Sequence, residues 1–152
     1  FINKIIRSKF KEIRVFSRDE KKQEDLRLKL QNSKIKFYIG DTRNYSSIYE
    51  ACKNVDYVFH AAALKHVTIC EENISEAIRT NSLATFFLAE MSEKYGCECF
   101  VLISTDKAVR LTYVMGASKK LLLLLIKLFS SINILKSNNV IFSYIRTALD
   151  LD

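Results

Sequence analysis

Proline and tryptophan are absent from this sequence of 152 residues, and glycine occurs only three times, at Gly40, Gly96 and Gly116. A loop that holds a phosphate group with its backbone amides needs clustered glycines. These three glycines are widely separated, so the sequence contains no glycine-rich phosphate-binding turn. Such a small number of turn-forming residues is unusual for a complete domain, and we expect the chain to be a fragment of a longer protein.

Long apolar runs and metal-type cysteine pairs are absent as well. The longest apolar run, Leu121 to Ile126, is far shorter than a membrane span, and the N-terminus lacks the apolar stretch of a signal peptide. The four cysteines form no Cys-x-x-Cys pair and have no histidine at zinc-finger spacing. We therefore expect a soluble cytoplasmic chain with reduced cysteines, no metal site and no membrane contact.

The charge of the chain is positive, with a formal net charge of +7. Such a balance favours anionic partners in general. The lysines, however, are spread through almost every segment, and no basic run alternates with aromatic residues as in a nucleic-acid groove. We expect a solvated basic surface and no nucleic-acid partner. With 152 residues, of which 49% are apolar, the chain is long and apolar enough for one domain with a real core.

Strand patterns alternate with helix patterns along the whole chain. The predicted strands are Glu12 to Ser17, Lys34 to Gly40, Asp56 to Ala62, Cys99 to Ser104 and Val140 to Ile145. The predicted helices are Glu20 to Gln31, Tyr45 to Lys53, Ile74 to Tyr95 and Met115 to Ile132. The third and fourth strands are almost continuously apolar, which predicts burial on both faces. This order predicts an α/β fold with a doubly wound, Rossmann-like parallel sheet.

Ligands of such sheets bind beyond the carboxyl ends of the strands. The first strand here ends at Ser17-Arg18, and an arginine at this place favours the 2′-phosphate of NADP over the 2′-hydroxyl of NAD. Asp41-Thr42 follows the second strand, where Asp41 either accepts a bond from an adenine amino group or serves the turn, and position alone favours the turn. Ala61-Ala62-Ala63 offers small side chains where a cofactor needs close approach to the backbone.

The two histidines, His60 and His66, have no evident partner nearby in sequence. His60 lies within an apolar strand, so we predict a buried histidine whose hydrogen bonds are satisfied. The pattern assigns no role to His66.

A carboxyl group and an amine are adjacent at the end of the fourth strand, in Ser104-Thr105-Asp106-Lys107. Thr105 or Asp106 could simply cap a helix. Alternatively, Asp106 and Lys107 could supply an acid and a base to one substrate from a single backbone site. The presence of Lys107 and Lys119 as well favours this catalytic interpretation, because a cap needs neither lysine.

Several stretches resemble one enzyme family in order and spacing. The stretches FSRDEKKQEDLR, FYIGDTR, VDYVFHAAALKHV, AIRTN, STDKAV and MGASK run from about Lys11 to about Lys120. Together they resemble the bacterial UDP-N-acetylglucosamine 4,6-dehydratases of polysaccharide biosynthesis, which are lyases of the extended short-chain dehydrogenase/reductase family.

The resemblance implies a UDP-sugar substrate and a tightly held NADP that takes a hydride from sugar C4 and returns it to C6, while water is lost across C5 and C6. It also implies roles for individual residues. Thr105 would hydrogen-bond the C4 hydroxyl, Asp106 would protonate the leaving hydroxyl, and Lys107 would remove the C5 proton. Lys119 would bind the nicotinamide ribose, and Asn81 matches a structural asparagine of the family. The match also places Arg18 and Asp41 at cofactor-contacting positions.

Met115 departs from the superfamily's Tyr-x-x-x-Lys pattern, which here reads Met115-Gly116-Ala117-Ser118-Lys119. The spacing keeps both side chains on one helical face, but methionine exchanges no proton. Some members of the dehydratase family also carry methionine here, so the C4 proton must leave by another route, with Lys107, Lys119 or a water as candidates.

The first strand and the glycine-rich turn of a dinucleotide fold are missing from residues 1–152, as is the substrate-binding C-terminal part. In the usual order of such a sheet the missing strand lies between the strands at Glu12 and Asp56. We therefore expect a partial dinucleotide-binding domain that is inactive by itself, from a parent that could form homo-oligomers. Two alternatives stay open. One is a non-enzymatic remnant or interaction module; the other is a short-chain epimerase or reductase, which Asp106-Lys107 disfavours.

Overall fold

The computed structural model describes residues 2–105, 113–135 and 141–147. Its strands are β1 (Ile13–Ser17), β2 (Ile35–Ile39), β3 (Tyr57–His60), β4 (Cys99–Thr105) and β5 (Ile141–Thr147). Its helices are α1 (Ile2–Ile5), α2 (Glu20–Leu30), α3 (Tyr45–Cys52), α4 (Val67–Glu72), α5 (Ile74–Ile78), a π-helical turn (Arg79–Leu83), α6 (Ala84–Lys94) and α7 (Val114–Leu135). In the described part of the chain no helix is both long and apolar enough to cross a membrane.

All strand pairs are parallel, and the strands form two separate sheets. One sheet pairs β1 with β2, and the other has the order β3-β4-β5. Each parallel pair is joined by a crossover that contains a helix, as parallel strands require. The predicted α/β fold is confirmed. The interruption falls between β1 and β3, where we expected the missing strand.

The main core lies on the second sheet, between β4 and the helices α6 and α7. Phe100 and Leu102 of β4 are buried against Met91 of α6 and against Leu122 and Ile126 of α7. The α7 residues recur at helical spacing, which directs them to one side of the helix. Burying each such side chain contributes about 1.5–3 kcal/mol, so this sheet and its two helices hold most of the fold's apolar stabilisation.

The first sheet is less well buried. Every residue of β1 is only half-buried, and Ile35 is the one fully buried apolar residue between Ile13 and Ile39. Its helix α2 begins at an Asp19 cap, whose carboxylate accepts the Lys22 amide at 2.9 Å. Capping of this kind is worth about 1 kcal/mol. Local hydrogen bonds therefore hold this part together more than a core does.

Three elements differ from the sequence prediction. The strand predicted over Asp56 to Ala62 is only Tyr57–His60. Its expected burial on both faces is wrong, because Tyr57 and Phe59, which alternate onto one face, are each 40% exposed. The helix predicted over Ile74 to Tyr95 contains a π-helical turn. The helix α4, Val67–Glu72, was not predicted, since it is short and His66 gives it no side-chain cap.

Candidate functional site

The carboxyl ends of β1 and β2 are joined by the side chain of Gln23. Its amide nitrogen donates to the Ser17 carbonyl at 3.2 Å, to Ser17 Oγ at 3.1 Å and to the Tyr38 carbonyl at 2.8 Å. Gln23 is only 4% exposed, and its Oε1 has no hydrogen-bond partner among the described residues. The turn that contains Ser17 is thereby fixed at the place predicted for the cofactor's adenosine half.

Arg18 follows directly and remains largely accessible. Its side chain is 56% exposed, and its Nη1 lies 3.4 Å from Asp41 Oδ2. At that distance the contact is a weak ion pair. The guanidinium is therefore able to turn towards a bound anion at the end of β1.

Asp41 is held by Arg43 in the turn after β2. Its Oδ1 accepts from the Arg43 backbone N–H at 2.9 Å and from Arg43 Nε at 2.9 Å. These bonds lower the pKa of Asp41 to about 2, so the carboxylate is ionised at neutral pH and accepts only. The turn interpretation of Asp41 is confirmed. Thr42 lies half-buried in the same turn. Adenine contact by Asp41 stays a prediction.

Arg43 and Glu76 form an ion pair that links this turn to α5. Arg43 is about 30% exposed, and Asp41 shares the same guanidinium. Sequence reasoning did not identify Glu76, because the two partners are 33 residues apart and no local pattern connects them. The pair orients Asp41 from the far side of the turn.

The segment after β3 presents exposed small side chains and a clamped backbone. Ala61, Ala62 and Ala63 are all exposed, as the predicted close approach of a cofactor requires. The next residue, Leu64, is fixed by Asn81, which accepts the Leu64 N–H at 2.8 Å and donates to the Leu64 carbonyl at 3.3 Å. Asn81 therefore sets the path of this segment.

Asn81 lies in the π-helical turn and also holds the start of α7. Its Nδ2 donates to Ser118 Oγ at 3.0 Å, while Ser82 Oγ donates to the Ser118 carbonyl at 3.1 Å. π-helical turns within helices often occur at functional sites. Here the turn directs Asn81 and Ser82 to the same residue of α7, next to Lys119.

His60 is buried beneath this turn. Thr85 Oγ1 donates to the Asn81 carbonyl at 3.1 Å and lies 2.8 Å from His60 Nε2. Because the single hydroxyl hydrogen of Thr85 is already used, His60 Nε2 carries a hydrogen and donates it to Thr85. Burial lowers the pKa of His60 to about 4. The predicted buried, hydrogen-bonded histidine is confirmed.

Met115 and Lys119 lie on one face near the start of α7. Met115 is buried against Cys70 and Ala77. Lys119 is 9% exposed. Burial raises the pKa of the Cys70 thiol, and the charge of Lys119 opposes that rise. The two α7 side chains therefore meet the same cluster around Cys70, a residue that sequence reasoning did not include in the site.

The remaining predicted catalytic residues are only partly placed. β4 ends at Thr105, so the Thr105 backbone lies at the carboxyl edge of the sheet. The Thr105 side chain falls outside the described part of the structure. Asp106 and Lys107 lie outside the described residues altogether. Among the residues that are described, no group of three or more histidine, cysteine or carboxylate side chains is arranged to hold a metal ion.

A nicotinamide dinucleotide fits this site at its two ends. Ser17, Arg18 and Asp41 lie at the carboxyl ends of β1 and β2, and Lys119 is buried near the start of α7; their contacts with the adenosine and nicotinamide halves stay predictions. Gly40 and Gly96 serve packing and a turn instead of a phosphate-binding loop. Gly40 makes room for the Phe16 ring, which a Cβ would approach to 2.6 Å, and Gly96 forms a turn at φ +65°.

The family of polysaccharide biosynthesis proteins has a profile that matches residues 1–147. The chain belongs to this family. Its members are nucleotide-sugar epimerases and dehydratases of the extended short-chain dehydrogenase type. The resemblance predicted from sequence is confirmed at that level, and the more specific 4,6-dehydratase activity is a further step.

Individual relatives are similar over part of their length. A UDP-glucose 4-epimerase from Rickettsia canadensis is 55% identical over 122 residues, which is 80% of this chain and 36% of that protein. The crystal structure of Pen from Bacillus thuringiensis has a TM-score of 0.90 and 34% identity, and the match covers 95% of this chain and 45% of Pen. This chain therefore spans less than half the length of these relatives.

The fold is shared more widely. A dTDP-glucose 4,6-dehydratase from Streptomyces venezuelae, crystallised with NAD, matches with a TM-score of 0.74 and 18% identity over 90% of this chain and 46% of that protein. At this level of identity the match shows the fold alone. The Rossmann-like fold is thus confirmed by a structure of low sequence identity, and that match does not assign the reaction.

Proposed function

We propose that this chain is the cofactor-binding and catalytic part of a nucleotide-sugar 4,6-dehydratase that acts on UDP-N-acetylglucosamine. One observation carries the proposal: Thr105-Asp106-Lys107 follows the carboxyl end of β4, and the helix α7 presents a buried methionine four residues before Lys119. Methionine exchanges no proton. A reaction that needs an acid and a base then depends on Asp106 and Lys107.

The residues of the chain have distinct tasks in this proposal. A bound nicotinamide cofactor supplies hydride uptake and return, with no net oxidation. Thr105 orients the C4 hydroxyl, Lys107 removes the C5 proton, and Asp106 protonates the hydroxyl that leaves C6. A C5 proton is acidic only beside a C4 ketone. An amine acts as a base only in its neutral form, so the proposal requires surroundings that favour a neutral Lys107.

The proposed cofactor is NADP. Support comes from the end of β1, where the chain has Ser17 and the accessible Arg18, and an arginine there suits a 2′-phosphate. Asp19, the nearest carboxylate in sequence, caps α2 and pairs with Lys22. It is therefore already engaged in structural bonds and is a poor acceptor for the 2′-hydroxyl of NAD.

A second candidate function is 4-epimerisation of a UDP-sugar. The name of the Rickettsia canadensis relative, which is 55% identical, favours it. Both reactions begin with oxidation at C4, but epimerisation returns the hydride to C4 and removes no C5 proton. It therefore gives no task to a base at Lys107 or to an acid at Asp106.

A chimera separates the two candidates. In the Rickettsia canadensis relative, the matched region is replaced by that of this chain, and the protein is incubated with UDP-N-acetylglucosamine and NADP. We expect a product lighter by one water, detected by mass spectrometry. The Lys107→Met chimera should lose at least about 100-fold in rate, as is usual for removing a general base. Lys120→Met, at an exposed lysine on α7, serves as the matched control and should keep the rate.

A product of unchanged mass with an inverted C4 would contradict the dehydratase proposal and favour the epimerase. Dehydration that persists in the Lys107→Met chimera would instead reject Lys107 as the base while leaving the reaction intact.

A further inference from the structure

The helix α7 begins without a capping side chain of its own. Its first turn closes with the bond from the Ala117 N–H to the Tyr113 carbonyl at 2.9 Å, so Tyr113 occupies the N-cap position. Caps are normally serine, threonine, aspartate or asparagine, whose short side chains reach the free amides of the first turn. Tyrosine has no such short acceptor, and Tyr113 is 49% exposed. The first amides of α7 therefore need a partner from elsewhere in the fold.

That partner is Glu71, which lies 43 residues earlier in the chain than Val114. Glu71 Oε1 accepts the Val114 N–H at 2.6 Å, which places a carboxylate against the first residue of α7. A negative charge at a helix N-terminus is favourable, because the free amides there carry partial positive charge. Glu71 of α4 thus acts as the cap that the sequence around Tyr113 does not provide.

The residue before Glu71 makes a second contact with the same turn of α7. Cys70 is fully buried and packs against Met115, together with Ala77 of α5. Two consecutive residues of α4 therefore contact two consecutive residues of α7. Cys70 contacts the Met115 side chain, and Glu71 contacts the Val114 amide.

The direction of α7 at Lys119 depends on these contacts. Asn81 and Ser82 bond to Ser118, which fixes the helix at one place. A helix axis is defined only when a second place is fixed, and Glu71 supplies it at Val114, about one turn earlier. Because Lys119 is only 9% exposed, its side chain has little room to compensate for a shift of the helix.

We infer that Glu71 is a positioning residue for the site that contains Lys119. By fixing the start of α7, its carboxylate keeps Lys119 where the ribose of a nicotinamide cofactor would meet it. The inference rests on the proposed function, because that proposal gives Lys119 this contact. It adds α4 to the elements that build the site. Glu71 acts through α7 and not by touching the cofactor.

Ligand binding by the whole 152-residue chain tests the inference. One probe is NADPH, followed by the fluorescence of its dihydronicotinamide ring. The other is adenosine 2′,5′-bisphosphate, which lacks the nicotinamide half and is followed by calorimetry. Glu71→Ala should weaken NADPH roughly tenfold, the usual worth of one charge-assisted hydrogen bond, and leave the bisphosphate unchanged. Glu71→Gln should recover much of the NADPH affinity, because its amide oxygen can still accept the Val114 N–H.

Glu72→Ala is the matched control. It removes the same charge from the next residue of α4, an exposed glutamate that has no bond to α7 in the described structure, and it should bind both ligands as the unaltered chain does. Amide hydrogen exchange checks the bond itself. The Val114 amide should exchange at least about tenfold faster in Glu71→Ala than in Glu72→Ala.

Equal affinity of the Glu71→Ala and Glu72→Ala chains for NADPH would overturn the inference. So would a Glu71→Ala chain that loses affinity for both ligands to the same extent, because the carboxylate would then support the fold in general. Lys119→Met distinguishes these failures from a failure of the proposed function, which requires this variant to bind NADPH more weakly. If Lys119→Met and the unaltered chain do not differ towards NADPH, the proposed contact of Lys119 is wrong, and the role of Glu71 is rejected with it.

Discussion

At the scale of single residues, Arg18 is the side chain on which the proposed choice of NADP depends. We expect adenosine 2′,5′-bisphosphate to bind this chain more tightly than AMP, because the guanidinium can pair with the 2′-phosphate. Arg18→Ala should weaken the bisphosphate by roughly 10- to 100-fold, the usual worth of a charge-assisted hydrogen bond, and leave AMP unchanged. Titration calorimetry measures both ligands.

The matched control for Arg18 is Arg27→Ala, which removes the same charge at the other end of α2, where Arg27 lies over the Phe37 ring. If both variants weaken the bisphosphate equally, the effect is one of net charge, and the assignment of Arg18 is wrong.

His60 predicts a pH dependence of stability. Burial lowers its pKa from 6.5 to about 4, so the unfolded chain binds the proton more readily than the folded chain. The contribution of neutral His60 to the free energy of unfolding is fully present above about pH 6.5 and is lost as the pH falls towards 4. Between pH 7.5 and 4.5 we expect a loss of about 2–3 kcal/mol from this group. Urea unfolding followed by circular dichroism measures it.

The contribution of His60 is isolated by comparing variants. In His60→Gln the loss between the two pH values should be smaller by that amount, because glutamine does not titrate. His66→Gln changes an exposed histidine and should follow the unaltered protein. A His60→Gln chain with the same pH dependence as the His66→Gln chain would contradict this account.

Single residues also show what the sequence could predict. Ser17, Arg18 and Asp41 were predicted because strand ends are visible in the hydrophobic pattern, and their contact with a cofactor stays a prediction. Gln23 and Glu76 were missed, because each acts through partners that only the fold brings near. Contacts made across many residues leave no local signal, so the residues that support a site are harder to predict than those that point into it.

At the scale of elements, the π-helical turn is the feature on which the site's geometry depends. Asn81→Ala removes the bonds to Leu64 and to Ser118 and leaves buried polar groups unpaired. We expect a loss of about 2–4 kcal/mol. Ser82→Ala removes one bond to a carbonyl and should cost about 1 kcal/mol. Urea unfolding of both variants at neutral pH measures the two losses. Equal losses would show that the Asn81 bonds stabilise the fold no more than the single Ser82 bond does.

Elements were predicted better than their interruptions. The helices at Glu20, Tyr45 and Met115 begin within a residue of the predicted position, and the last of them has regular apolar spacing. The π-helical turn was not predicted, because one extra residue in a helix barely alters that spacing. The excess length predicted for β3 has another cause: Ala61 and Ala62 continue the apolar run, but the pairing with β4 ends at His60.

At the scale of the whole molecule, the two sheets should differ in stability. The main core packs on β4, whereas β1 and β2 contribute one fully buried apolar side chain, Ile35. Regions with few buried apolar contacts open more easily. The Val15 and Val101 amides both point to a partner strand. We expect the Val15 amide to exchange at least about 100-fold faster, which corresponds to a difference of roughly 3 kcal/mol in the free energy of opening. Equal rates by NMR would mean that the two sheets unfold as one unit.

The proposed reaction is removal of water from a UDP-sugar through a base at Lys107. The measurement that tests it most directly is turnover of the chimera in D2O, with the product's C5 position examined by NMR. If Lys107 removes and returns the C5 proton, the product should carry one solvent deuterium at C5. The Lys107→Met chimera should form no product with deuterium at C5. A product that retains the substrate's own hydrogen at C5 would contradict the account, because no base at C5 would then take part in the reaction.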